Sequence, residues 1–164
     1  MTTGNPQNAL EALDAPIYIA DSKFFSISEK SNSNEKVGVK LYYESLCPAS
    51  IAFYITNFRK TIEKLSQYLN VSTYPYGNAQ TIVDKNKITF ICQHGPAECY
   101  GNKLHACTID NFQNITKAII FNACMMDENR VSDDTAADKC ATLMDVDSKP
   151  IKECAKGSKG INSS

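Results

Sequence analysis

Neither sign of charge is in surplus in this chain: 17 Lys and Arg stand against 18 Asp and Glu in 164 residues. There is also no basic cluster and no interleaving of basic with aromatic residues. These absences exclude the concentrated positive field that nucleic acid or an anionic membrane would call for. No apolar run approaches the roughly 20 residues that a membrane-spanning helix needs. The longest early candidate, Ala15 to Ala20, is too short for a secretory leader core, and no basic stretch precedes it. No signal peptide is therefore visible. Apolar and charged fractions are those of an ordinary soluble protein, which predicts one compact domain with tails.

Cysteine, by contrast, is plentiful. There are seven, and six of them fall between Cys92 and Cys154. That density favours an oxidising compartment. Cys92, Cys99, Cys107, Cys124, Cys140 and Cys154 form an even set of candidate structural disulfides, and six cysteines allow 15 connectivities, a count that arithmetic supplies but sequence cannot narrow. Cys47, far from the others, is the natural odd thiol. The missing leader conflicts with this compartment, and three readings stay open: the chain begins downstream of the true start, it is an isoform, or its cysteines are reduced metal or redox ligands.

Hydropathy patterning predicts an α/β chain in four parts. Residues 1–36 are polar and irregular, a loosely ordered arm in which Ile17–Ile19 with Phe24 and Phe25 is a weak candidate for an edge strand or short helix. Residues 37–92 hold a strand over Val37–Tyr43, apolar on both faces as a central strand should be. A helix over 49–69 follows, with Ile51, Ile55, Phe58, Ile62, Leu65 and Leu69 at three- and four-residue steps, and then a strand over Val71–Tyr76. Strand, helix and strand within about 40 residues make a βαβ unit with parallel strands. Thr81–Val83 and Ile88–Ile91 flank a hairpin turn. Residues 93–157 read as a stapled subdomain of short helices, at about 97–106, 114–126, 135–143 and 150–155, each holding at least one cysteine. Such helices are too short to be stable alone, so cross-links worth roughly 2–4 kcal/mol each meet a physical need. Residues 158–164 are a tail.

The chemistry centres on Leu46-Cys47-Pro48-Ala49-Ser50. A strand delivers Cys47 to a helix start, where unsatisfied N–H groups and the helix dipole favour a thiolate, and Pro48 suits the first turn because it lacks the N–H that would go unpaired. Ser50 lies nearly one turn on, where a dithiol motif would carry its second cysteine. A serine there can donate a hydrogen bond but cannot resolve a mixed disulfide. The plain alternative is a buried structural cysteine.

Cys92-Gln93-His94-Gly95, two residues, Glu98-Cys99, two residues, Asn102, four residues and Cys107 reproduce a signature whose every position is filled at the correct spacing. On these residues the chain resembles the gamma-interferon-inducible lysosomal thiol reductase (GILT) family. Tyr74–Ala79 and the later Glu153-Cys154-Ala155 with Gly157 extend the resemblance over about residues 37–160. It implies a thioredoxin-like core with a cysteine-rich helical insertion, acting on protein disulfides in acidic endosomal or lysosomal compartments or after secretion. Cys47 and Ser50 match the two active-site thiol positions, as in Cys-x-x-Ser versions that look like those of some invertebrate members. The chain stops at Ser164. The family's later helix, cis-proline segment and closing strands are then expected to be missing, leaving a sheet edge exposed to a protein partner.

No cofactor is expected beyond an external thiol reductant, and no metal. Zinc on Cys92, His94, Cys99, His105 and Cys107 is the alternative for the cluster, although its spacing is not that of common fingers or ribbons. Gly95-Pro96 supplies a turn, and His94 with Glu98 reads as a hydrogen-bonded scaffold or a polarising pair. Asn70-Val71-Ser72, Asn114-Ile115-Thr116 and the terminal Asn162 triplet match glycosylation acceptors. The leading expectation is a single-cysteine thiol–disulfide oxidoreductase. A catalytically impaired binding protein on the same scaffold is its rival.

Overall fold

The structure, a computed structural model, describes residues 25–28, 36–85 and 87–157. Its elements run β1 (Phe25–Ser28), β2 (Val37–Tyr43), α1 (Pro48–Phe53), a π-helical turn (Tyr54–Phe58), α2 (Arg59–Leu65), a 3-10 turn (Ser66–Tyr68) and β3 (Leu69–Pro75). The hairpin β4 (Gln80–Asp84) and β5 (Lys87–Ile91) comes next. Four helices close the series: α3 (Pro96–Asn111), α4 (Ile115–Asn129), α5 (Asp134–Met144) and α6 (Lys149–Lys156). The fold is mixed α/β with small sheets.

β2 is the central strand of a three-stranded sheet, antiparallel to β1 and parallel to β3 in the register Val37↔Leu69 to Tyr43↔Pro75. Phe25–Ser28 forms an edge strand, one of the two readings allowed for the patch that ends at Phe25, pairing with β2 from Phe25↔Leu41 to Ser28↔Gly38, whereas Ile17–Ile19 and Phe24 lie outside the described residues. Two expectations change here. β2 is not buried on both faces. Val39, Leu41 and Tyr43 point into the core, while Lys40 and Tyr42 are exposed and Tyr42 stacks on Tyr74 with ring centroids 4.7 Å apart. The helical periodicity overran its end as well. Leu69 opens β3 rather than ending a helix, because parallel pairing along all seven residues of β2 outweighs a weak local preference in Ser66–Tyr68.

Two cores share one helix. Val39, Leu41 and Tyr43 of β2 pack on Ile51, Tyr54, Phe58 and Ile62, and Ile119, Ala123 and Met126 of α4 join them. The opposite side of α4 places Phe121 and Met125 with Leu104 and Cys107 of α3, four residues of α5 and Ile151 and Ala155 of α6. Steps of three and four residues on each side make α4 apolar nearly all round, as a helix buried between two layers must be. Asn114 caps it by accepting from the N–H groups of Thr116 and Lys117, and Asp133 caps α5 through the N–H of Ala136. Three disulfides fasten the helices. Cys107–Cys154 ties α3 to α6, Cys124–Cys140 ties α4 to α5, and Cys92–Cys99 ties the end of the hairpin to the start of α3.

Where the cores meet, a buried polar chain crosses four segments. Asn122 Nδ2 donates to Tyr43 Oη (3.4 Å) and to the His105 carbonyl (3.2 Å), His105 Nδ1 lies 2.9 Å from Tyr43 Oη, and Nε2 lies 3.0 Å from Ser132 Oγ. A neutral imidazole accepting the Tyr43 hydroxyl proton at Nδ1 and donating from Nε2 to Ser132 uses both ring nitrogens, while Asn122 Oδ1 accepts no hydrogen bond. Burial pushes His105 down from 6.5 to about 3, so it stays neutral.

That displacement has a sign. The unfolded chain protonates His105 near pH 6.5 while the fold refuses the proton until about pH 3, so stability is whole above pH 6.5 and is lost progressively as pH falls toward 3. By pH 4.5 the loss is about 3 kcal/mol. We expect His105→Gln to be less stable than wild type at pH 7 but to show a flatter fall in urea midpoint between pH 6.5 and 4.5. Identical slopes in the two proteins would assign the acid sensitivity to other groups.

Candidate active site

β2 ends at Tyr43, and Glu44-Ser45-Leu46 carries the chain to Cys47, a half-buried free thiol directly before Pro48 at the first position of α1. The Cys47 carbonyl accepts the Ile51 N–H at 2.9 Å, so the residue stands at the helix boundary with extended backbone. α3 holds this connection from below. Asn102 Oδ1 accepts the Ser45 N–H at 2.8 Å, and Ser45 Oγ donates to the Glu98 carbonyl at 3.2 Å. Gly101 permits the approach, since a Cβ there would come within 2.5 Å of Ser45 Oγ. Ser50 Oγ accepts the Glu44 N–H at 3.4 Å. The serine one turn along therefore braces the loop that leads to Cys47.

Beside the thiol lies a charged pocket that local sequence patterning does not reveal. Glu44 is only 3% exposed. Its Oε1 accepts the Asn78 N–H at 2.6 Å, whereas its Oε2 accepts no hydrogen bond and lies 3.5 Å from His94 Nδ1. Glu98, fully buried, takes the His94 backbone N–H on Oε1 at 3.1 Å and the ring Nδ1 on Oε2 at 2.6 Å. Donor atoms of Glu44, Cys47 and His94 fall within 4.8 Å of one another. Gly77, at φ +54°, leaves the space that Glu44 occupies, because a Cβ at this position would sit 2.3 Å from Glu44 Cγ.

The signature residues thus frame Cys47 from one side. Gly95 at φ +86° turns the chain into α3 with Pro96 at its first position, the Cys92–Cys99 bridge closes that turn, and Asn78 Nδ2 donates to Gln93 Oε1 at 3.1 Å. The model of the gamma interferon inducible lysosomal thiol reductase family matches residues 38–144. The chain belongs to the GILT family. It is 30% identical over 141 residues to GILT-like protein 1 of Drosophila melanogaster, covering 78% of this chain and 56% of that protein. It is 36% identical over 126 residues to the gamma-interferon-inducible lysosomal thiol reductase of Carassius auratus (76% and 49% covered), and 32% over 124 residues to that of Mus musculus (76% and 50%). The chain spans about half the length of the curated relatives it matches.

In this GILT chain the zinc alternative for the signature fails. Cys92 and Cys99 are bonded to each other, Cys107 to Cys154, and His105 is sealed in the Tyr43 network. His94 and Glu98 form the hydrogen-bonded pair expected of them, with both Glu98 oxygens taken by His94. Asn70 and Asn114 are exposed and border one shallow pocket with Ser66 and Ile115, while Asn162 lies outside the described residues. Glu44 and Ser45 escaped sequence reasoning, and Asn78 entered it only within the Tyr74–Ala79 resemblance. The bonds Ser45–Asn102, Ser45–Glu98 and Asn78–Glu44 span 34 to 57 positions, beyond any periodicity or spacing rule. The one available hint was Gly77-Asn78, legible as a turn but not as the wall of a carboxylate pocket.

Gly77→Ala should lower stability by roughly 1–3 kcal/mol, combining left-handed strain with displacement of Glu44. Gly38→Ala is the matched control, as its added Cβ meets nothing within 4 Å. Thermal unfolding of the pair reads the difference, and equal losses would mean that Glu44 moves aside without cost.

Proposed function

We propose that this chain is a thiol–disulfide oxidoreductase in which Cys47 is the nucleophile. The observation that carries the reading is that the one free thiol among the described residues stands half-exposed where a strand meets a helix, in a pocket built by the GILT signature. The Cys47 thiolate attacks one sulfur of a protein disulfide, a Cys47–substrate mixed disulfide forms, and the other substrate sulfur leaves as a thiolate that takes up a proton. An external thiol then attacks the substrate sulfur of that mixed disulfide. Cys47 is released reduced, and the substrate is left joined to the external thiol for a second exchange. Ser50 positions the Glu44–Cys47 connection and donates no electrons.

The βαβ unit of β2, α1–α2 and β3 serves as a thioredoxin-like core, and substrates are disulfide-containing proteins. The names of the relatives, thiol reductases from fish and mouse, support reduction over mere binding. The word lysosomal in those names supports a lysosomal workplace. The outer edge of β3, unpaired among the described residues, offers backbone groups to an extended substrate segment.

Insulin reduction by excess small thiol, followed by turbidity, tests the nucleophile: Cys47→Ala should fall to the uncatalysed rate, and a variant as fast as wild type would reject the mechanism. Ser50→Cys supplies an internal resolving thiol and should raise turnover. Were this variant to lose titratable thiol without gaining rate, the external-thiol step would not be what limits the wild-type chain.

A further inference from the structure

The pocket beside Cys47 holds more negative than positive charge. Glu44 and Glu98 are buried carboxylates, and the ion pairs described for them are to His94 alone, at 3.5 and 2.6 Å. Burying a carboxylate oxygen without a hydrogen bond is costly, and Glu44 Oε2 is left in that condition, its charged neighbour being the His94 ring that Glu98 already engages. Two buried carboxylates beside a thiol favour a cation there.

The donors suit a particular one. Thiolate, imidazole and carboxylate are the three ligand types that zinc accepts, and three protein ligands with an open fourth position is a familiar zinc arrangement. Glu44, Cys47 and His94 bring such donors within 4.8 Å of one another. Cys47 and His94 are both partly exposed, so a cation can reach them from solvent. Glu98, at 2.6 Å from His94 Nδ1, fixes the ring beside Glu44 and is placed to orient a metal-binding imidazole. Asn78, whose N–H fixes Glu44 Oε1, leaves Oε2 free to coordinate.

We propose that Glu44, Cys47 and His94 form a site for a single thiophilic divalent cation, Zn²⁺, with Glu98 orienting His94. Binding releases the Cys47 proton to solvent and caps the sulfur as a metal thiolate, so the occupied chain cannot attack a disulfide. No electrons are exchanged, and a chelator reverses the step. As regulation this rests on Cys47 being the nucleophile. As a metal site it stands on the geometry alone.

The test uses the full chain with its three disulfides intact and no added thiol. Zn²⁺ titrated against a chromophoric chelator should bind one per chain, slow alkylation of Cys47 by iodoacetamide at least about tenfold, and be reversed by EDTA. Glu44→Gln and His94→Gln should each weaken zinc by about tenfold or more. Zinc binding unchanged in both variants, or unhindered alkylation in saturating zinc, overturns the site. Because Glu44→Gln disturbs a buried position, Co²⁺ on the unmodified protein supplies an independent reading. A thiolate-to-cobalt charge-transfer band that disappears after Cys47 alkylation is expected, and its absence also overturns the site. Insulin reduction in EDTA separates the two proposals: inactivity there rejects the nucleophile whatever zinc does, and activity there with no zinc binding rejects only the metal site.

Discussion

The grip of α3 on the end of β2 is the contact from which the site follows. Two hydrogen bonds donated by Ser45, to Asn102 Oδ1 and to the Glu98 carbonyl, fix the three residues between the strand and Cys47. Just upstream, Tyr43 reaches His105 on the same helix. A loop satisfied in this way has little freedom, so the thiol is presented in one place. Each partner is buried, and loss of either would leave an unpaired polar group, which makes the contact stringent as well as stabilising.

This grip explains why a signature some 50 residues from the thiol belongs to its chemistry. Cys92–Cys99 and Gly95 set the direction in which α3 departs, Asn102 holds the loop, and Glu98 holds both that loop and His94. The spacing in the signature is helical. Glu98 and Asn102 are one turn apart and face the same loop, while Cys107 faces away into the second core and bonds to α6. One helix therefore carries the polar wall of the site on one side and a disulfide anchor on the other.

α4 performs the matching task for the apolar layers. With Ile119, Ala123 and Met126 on one side and Phe121 and Met125 on the other, it joins the sheet core to the helical core. The sheet half and the cysteine-rich half are consequently not packed independently. The Asn122 amide, on this helix, closes the polar chain through Tyr43 and His105 at the junction.

Local pattern carried much of the architecture. The strand composition of Val37–Tyr43, the three-and-four spacing after Cys47, the turn at Asp84–Lys87 and the short helical runs after Cys92 each placed an element near its observed position, because these depend on neighbours a few residues away. Counting cysteines separated Cys47 from the other six but left 15 pairings, since a bridge depends on where Cβ atoms meet in space. The same limit hid the end of the helix at Leu69, decided by pairing with Val37, and the exposure of Tyr42, decided by what does not cover that face. It also hid Glu44. By sequence alone, a cysteine at a helix start and a signature of known family were determined. Only tertiary structure set between them a buried carboxylate with one oxygen lacking a hydrogen bond, because Glu44, Gly77 and His94 become neighbours when β2, the turn after β3 and the start of α3 converge.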